Sequence, residues 1–359
     1  MLRVIQKWYE RNFADEEALV LVLLLGMLLI GVLMFGQILG PVLAAVVIAF
    51  LMQGLVNHLV KMKIPHLVAV SIVSALLVGV MIASIFLVLP LMWNQLANLF
   101  TELPKLLTRG QEMMAGLHEQ YPQFVTEDQL KQWVNAAANE VGQLGQWAVS
   151  YSLSSIPGIV VLIVYLILVP ILVFFFLKDR AEITAWISGM LPKKRGLIEQ
   201  IWLEMDDQIA NYVRGKVIEI ILIGGASYIT FQLLGLNYAA LIGLLVGLSV
   251  IIPYVGAAVV TFPVALAGLL QWGWGSEFFY LMLAYGIIQA IDGNVLVPFL
   301  FSEVVDLHPA AIIVAVLFFG GIWGFWGVFF AIPLATLIKA IVNAWPNTRS
   351  EAELIEGPD

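Results

Sequence analysis

ALVLVLLLGMLLIGVLMFGQILGPVLAAVVIAFLM, residues 18–52, is a run of 35 residues in which Gln37 has the only polar side chain. At ~1.5 Å rise per residue it would reach about 52 Å as one helix, far beyond the ~30 Å hydrocarbon core of a bilayer. Gly36-Gln37-Ile38-Leu39-Gly40-Pro41 divides it, because Gly and Pro inside an apolar run mark a tight turn. Two spans joined by that turn make this a membrane chain. Asp15, Glu16 and Glu17 precede the first span and no small-residue cleavage site follows it. A retained anchor is expected rather than a cleaved signal.

The composition agrees. Of 359 residues, 61% are hydrophobic and 12% charged, with mean hydropathy +0.96. A soluble domain carries about twice that share of charge. The chain has no cysteine, which excludes disulfides, thiolate nucleophiles and Cys-ligated metals. A formal charge of -8 speaks against nucleic acid, which calls for a basic face.

A third span is expected over 67–92 and a fourth over 156–177. Residues 220–276 then form 57 uncharged residues, about 86 Å of helix and too much for two ordinary spans. Gly235-Leu236-Asn237 ends the fifth span, 238–270 is a long or broken sixth, and 278–301 is the seventh. Residues 307–338 make the eighth, interrupted by Gly320, Gly321, Gly324 and Gly327. The expected fold is therefore all-α and polytopic, with about eight transmembrane helices, the sixth and eighth being candidates for discontinuity.

Fourteen of the 17 basic residues fall on one side of an eight-span chain, leaving only Lys105, Arg109 and Lys131 in the loop 93–155. The positive-inside rule then puts both termini in the cytoplasm and the loop outside. That loop is patterned. Trp93, Leu96, Leu99, Leu103, Leu106, Met113 and Leu117 recur at helical spacing, and Leu130, Trp133, Ala137, Val141, Leu144 and Trp147 repeat it. They predict an external amphipathic hairpin, either a solvated cap or an oligomer contact. The inner stretch 178–216 carries an apolar stripe from Ile198 to Tyr212 among acids, as a helix lying in the interface would. The organisation read this way is 1–92 (tail and three spans), 93–155 (external hairpin), 156–177 (fourth span), 178–216 (cytoplasmic linker), 217–345 (C-terminal membrane module) and 346–359 (acidic tail).

From Val217 to Ile338 there is no Lys or Arg. Glu219 lies close enough to the interface to snorkel or to pair with Arg214 or Lys216. Glu277, Glu303 and Asp306 suit edges, whereas Asp292 falls well inside the seventh span, where a carboxylate costs at least ~2.5 kcal/mol. Gln289 shares its helical face, and Gly293 and Asn294 follow it. Two readings stand: a proton- or ion-coupling carboxylate, or a protonated Asp used as a structural donor. Should Gly293 open the helix, Asp292 would cap its second half.

Ile252-Pro253-Tyr254-Val255-Gly256 and the series Gly320 to Gly327 each interrupt an apolar segment, and each is later followed by a proline, Pro263 and Pro333. Unwound backbone at membrane depth survives only where protein or a water-filled cavity satisfies it, so such breaks point to a transporter's central site. The competing reading is close packing by small residues, for which Gly243/Gly247 and Gly320/Gly324 have the spacing. Pro253, Tyr254, Gly256, Gln289 and Asn294 are the candidate substrate pathway. Gly293, Pro298, Gly320, Gly321, Gly324, Gly327 and Pro333 are the candidate hinges. No phosphate loop and no metal-ligand spacing occur, and Ser249 with His308 lacks the setting of a catalytic pair. Neither an enzyme, a cofactor nor a metal site is expected.

Phe174-Phe175-Phe176-Leu177-Lys178-Asp179, Tyr212-Val213-Arg214-Gly215-Lys216, Leu234-Gly235-Leu236-Asn237-Tyr238 and Ile252 to Gly256 come in order. Asp292-Gly293-Asn294-Val295-Leu296-Val297-Pro298, Leu307-His308-Pro309, the glycine series and Ala331-Ile332-Pro333 follow. In this order and spacing the chain resembles the autoinducer-2 exporter-like (PerM-type permease) family over nearly its whole length. Asp292 stands where that family usually has Glu, and Lys216 where Gln is common. The resemblance implies a secondary transporter of the bacterial inner membrane that exports small molecules. It implies a homo-oligomer, a pentamer, that moves one domain against a scaffold.

The lack of basic side chains in 217–338 favours a neutral polar substrate, with autoinducer-2 compatible and proton coupling through Asp292. The alternatives are a sodium/proton antiporter using the same carboxylate and a non-transporting scaffold.

Overall fold

The computed structural model describes residues 16–36, 38–99, 101–102, 132, 156–191, 196–301 and 307–344. The external hairpin expected over 93–155 lies almost wholly outside the described residues, as do Gln37, Glu303, Asp306 and the C-terminal tail from 345. The described chain is helical throughout, with no strand.

The helices in order are α1 (Glu16–Phe35), α2 (Gly40–Lys61), α3 (His66–Leu99), α4 (Ile156–Lys178), α5 (Arg180–Met190) and α6 (Gly196–Leu233). Then come α7 (Ala239–Ser249), α8 (Val255–Trp272), α9 (Ser276–Phe301), α10 (Pro309–Phe329) and α11 (Ala331–Ala344). Seven of the described helices are long and apolar enough to cross a membrane, α2 to α4, α6 and α8 to α10, and α7 and α11 are shorter apolar helices. This is a multi-pass membrane protein.

The turn after α1 falls where Gly36 to Pro41 placed it, and Pro41 sits in the first turn of α2, where its missing N–H costs nothing. α2, α3 and α4 share one core, with Ala45, Ala49 and Val56 against Val70, Val73, Val169 and Val173. α1 stands apart from it. Leu21 packs with Ile201 and Met205 of α6, beside Leu337 and Ile341 of α11. The first helix therefore belongs structurally with the C-terminal half.

α6 spans 38 residues without interruption, about 57 Å. The expected boundary between linker and fifth span, near 216, falls inside this one helix. Helical periodicity continues across it because the apolar stripe from Ile198 to Tyr212 runs on into the buried face Val213 and Ile223. Arg180 of α5 pairs with Asp206 of α6, Nη2 to Oδ2 2.9 Å, which pins the short amphipathic helix to the long one.

The sixth and eighth spans are both broken. α7 has 11 residues, about 16 Å and half a bilayer core. It folds back on α6 with backbones nearly touching. A Cβ on Gly247 would stand 2.8 Å from Gly224 Cα, and one on Gly243 would stand 2.8 Å from Tyr228 Cα. The turn joining α6 to α7 is clamped from α8, where Gln271 Nε2 donates to Gly235 O and Gln271 Oε1 accepts from Asn237 N–H, 2.8 and 2.7 Å.

Two long helices widen instead of breaking. Ser84–Val88 in α3 and Asp292–Leu296 in α9 are single π turns, closed by Leu89 N–H on Ser84 O and Val297 N–H on Asp292 O. Pro90 and Pro298 follow each turn at the same offset. A proline removes an N–H and crowds the preceding turn; the wider π turn ahead of it leaves the helix continuous. The opening expected at Gly293 does not occur, and Asp292 caps nothing.

Gly247→Leu is expected to lower stability by about 1–3 kcal/mol, since the added side chain must push two backbones apart. Gly225→Ala, where nothing lies within 4 Å of the added Cβ, leaves it unchanged. Thermal unfolding of the detergent-solubilised protein measures both.

Candidate functional site

Each break leaves a helix C-terminus inside the molecule, with carbonyls that have lost their donors. At the first, Val250 follows the last residue of α7. Pro253 three residues on has no N–H, and Tyr254 at φ +61° turns the chain out of the helix. At the second, Pro333 stands where the i+4 donor to Phe329 O would be. The two reversals are built alike. A Cβ on Gly256 would overlap the Ser249 carbonyl, and one on Gly327 would overlap the Phe319 carbonyl. The positive-φ residue is Tyr254 in one and Gly324 (φ +59°, ψ -133°) in the other, and the Phe329 carbonyl lies five residues past Gly324, at the bend before Pro333.

α6 supplies what both breaks lack. Tyr212 Oη donates to Phe329 O at 2.8 Å, and Lys216 Nζ donates to Val250 O at 2.9 Å. These residues are four apart, one above the other on a single helix face. Gly215 lies between them because a Cβ there would stand 2.8 Å from Phe301 Cε1. Phe301, at the end of α9, packs its ring 5.8 Å from that of Tyr212 and 5.0 Å from the Lys216 ammonium. The stretch Tyr212 to Lys216 is thus two donors and a small residue that lets α9 reach them.

A buried ammonium needs a counter-charge. Glu219 Oε2 is 2.7 Å from Lys216 Nζ, and both side chains are under 5% exposed. Asp292 is buried on α9 close enough for its charge to act on both Glu219 and Lys216. Asp292 Oδ1 has no hydrogen-bond partner among the described residues. Among the described residues, one buried cation and two buried carboxylates, Lys216, Glu219 and Asp292, therefore belong to this region. A basic side chain does enter the C-terminal module, brought in from just outside the window of sequence that lacks one.

The candidate residues separate. Asp292 faces the centre, and Gln289, half-buried one turn earlier, lies near Tyr285, whose hydroxyl meets Thr261 at 3.0 Å and Ala257 O at 3.2 Å. Asn294 is exposed, its amide turned back onto Ala290 O at 2.8 Å. Pro253 and Gly256 lie at the first break beside Val250, whereas Tyr254 is 57% exposed. Gly320, Gly324, Gly327 and Pro333 form the second break, while Gly293 and Gly321 have open space around them. Pro298 follows the π turn. Of the two partners the sequence offered Glu219, the structure takes Lys216, but buried rather than at the interface; the part played by Tyr212 and Phe301 was not foreseen, and its signal is a Tyr, a Lys and a Glu at i, i+4 and i+7 on one otherwise apolar face.

Two further features sit outside this centre. Tyr238 Oη donates to Glu102 at 2.5 Å and Leu241 N–H to Gln95 Oε1 at 2.9 Å, tying the end of α3 to the start of α7. Burial, and then Glu102 as acceptor and charge, pushes the Tyr238 phenol up to about 12. A cavity of about 720 Å³ opens between α2, α5 and α6, lined by Phe50, Phe176, Trp202 and Arg180. It contains none of the candidate residues.

Tyr212→Phe keeps the ring and strands the Phe329 carbonyl. It is expected to cost about 1–3 kcal/mol, read as a lower Tm. Tyr228→Phe, on an exposed ring, leaves Tm unchanged.

Comparison with known proteins agrees with this architecture. The model of the AI-2E family transporter matches residues 19–347. PerM of Escherichia coli (strain K12), named as a permease, is 44% identical over 97% of this chain and 98% of its own. YueF of Bacillus subtilis (strain 168), named as a transport protein, is 26% identical over 84% of this chain and 82% of its own. The AI-2 transport protein TqsA of Escherichia coli (strain K12) is 25% identical over 94% and 95%. With that match running from α1 through α11, the chain belongs to the AI-2E transporter family.

Proposed function

We propose that this protein is a gradient-driven transporter that exports a small, uncharged polar solute, with a proton exchanged at Asp292. The observation that carries the reading is the buried centre. Two broken helices converge on one face of α6, and one carboxylate there exceeds the charge that Lys216 balances. Asp292 Oδ1, without a partner among the described residues, is free to take a proton. Neutralising it lowers the cost of moving the carboxyl through low dielectric.

Lys216 does not turn the centre into an anion site, because Glu219 holds its ammonium. A neutral polyol-like solute such as autoinducer-2 fits this charge balance, and the relative TqsA carries that signal in its name. Sodium/proton antiport through the same carboxylate is the second reading. A scaffold without transport leaves the two breaks and the buried charges unused. The setting proposed is the bacterial inner membrane, with both termini cytoplasmic and residues 93–155 outside. The chain assembles there as a homo-oligomer, a pentamer. The ring of exposed residues Val160, Val161, Leu162 and Ile163 at the start of α4 is left for lipid or a second copy.

Asp292→Asn is expected to abolish proton-coupled flux in proteoliposomes, and Asp292→Glu to retain it. Undiminished proton movement in the Asn variant would remove Asp292 from the coupling role. Labelled neutral solute against sodium-driven change of internal pH separates the two transport readings.

A further inference from the structure

We propose that the centre formed by Glu219, the Val250 carbonyl and the Phe301 ring is an alkali-cation site whose resident cation is the chain's own Lys216 ammonium. The surroundings of Nζ are those of a bound ion. A carboxylate oxygen lies at 2.7 Å, a carbonyl oxygen at 2.9 Å and an aromatic face at 5.0 Å. The carbonyl belongs to the C-terminal end of α7, where the helix dipole adds negative potential. A second buried carboxylate, Asp292, stands within electrostatic reach with one oxygen unpartnered among the described residues.

Hard oxygen ligands, two formal negative charges and an unwound carbonyl are what sodium or potassium requires. A lysine ammonium is a compact point charge that satisfies the same set. An ordinary buried ion pair needs only one carboxylate. Here the ammonium is held from three elements, α6, the end of α7 and the end of α9, and the carboxylates outnumber it. Anchored to α6, this cation cannot leave with the solute or exchange with the medium. Of the two negative charges, Lys216 permanently answers one, and the other remains for a proton.

The consequence for coupling, that a proton replaces an exchangeable metal cation, rests on the transporter reading. The cation site itself does not. Its test is therefore a binding measurement on the full-length protein in detergent, by thermal unfolding in NaCl, KCl or N-methylglucamine chloride at equal ionic strength. The unsubstituted protein is expected to show one Tm in all three salts.

Lys216→Gln vacates the centre and is expected to gain a saturable rise of several degrees in NaCl or KCl, as ligand linkage requires. The added Glu219→Gln substitution removes that gain. Lys216→Ala is the second opening variant and should respond in the same way, including folding only in sodium or potassium. A folded Lys216→Gln indifferent to all three salts would overturn the proposal. So would a sodium response of the unsubstituted protein that disappears in Glu219→Gln. Failure here leaves the flux result for Asp292→Asn standing, and failure of that flux result leaves the cation site standing.

Discussion

The architecture depends on one face of α6 that satisfies two orphaned carbonyls. Lipid offers a broken helix no donors, so each interrupted ladder must be satisfied by protein or by water in a cavity. Tyr212 and Lys216, one helical turn apart, give a hydroxyl to Phe329 O and an ammonium to Val250 O. Both breaks are therefore registered to the same rod. A shift of α6 by one residue would withdraw both donors together.

Other features follow from this choice of donor. A hydroxyl can be buried alone, whereas an ammonium brings a charge that must be balanced. Glu219 stands one turn along on the same face and balances it. Asp292 opens the π turn of α9, which keeps the helix continuous ahead of Pro298, and its carboxyl is buried. Glycines set the distances. Gly224, Gly243 and Gly247 let α7 lie backbone to backbone on α6, and Gly215 admits Phe301. For Gly243 and Gly247 the packing reading and the broken-helix reading hold together, whereas Gly324 has open space where a Cβ would point and serves the break alone. The same small residues that permit close packing hold the half-helix whose end forms the centre.

Much of this was legible in the chain. Apolar runs longer than a bilayer, divided at Gly36–Pro41, Gly235–Asn237 and Pro253–Gly256, placed most helix ends to within a few residues, because hydrophobic length is a one-dimensional property; the start of α6, which is amphipathic rather than apolar, was not placed. The breaks of the sixth and eighth spans were likewise readable, since Pro and Gly act on their own backbone. Asp292 could be singled out because no edge lay near it. Lys216 was legible only as one of two partners for Glu219 at the interface, and its burial was not, because it lies one residue outside a window free of basic side chains. Gly293 misled for a related reason. Its helix stays intact because the π turn and the packing of α9 on α6 outweigh a single glycine's weak propensity.

Sequence alone determined that this chain lives in lipid and that it is helical, and it nominated the two spans that are interrupted. These follow from hydropathy and local backbone chemistry, which need no knowledge of neighbours. Only the tertiary structure decided which groups meet. It turned an interfacial lysine into a buried ammonium, paired it with Glu219, set both before Asp292 and closed two distant breaks on a single helix. The reason is physical. A charge's solvation and a carbonyl's missing donor are settled by whatever comes within a few ångströms, and here those partners lie up to 117 residues away along the chain.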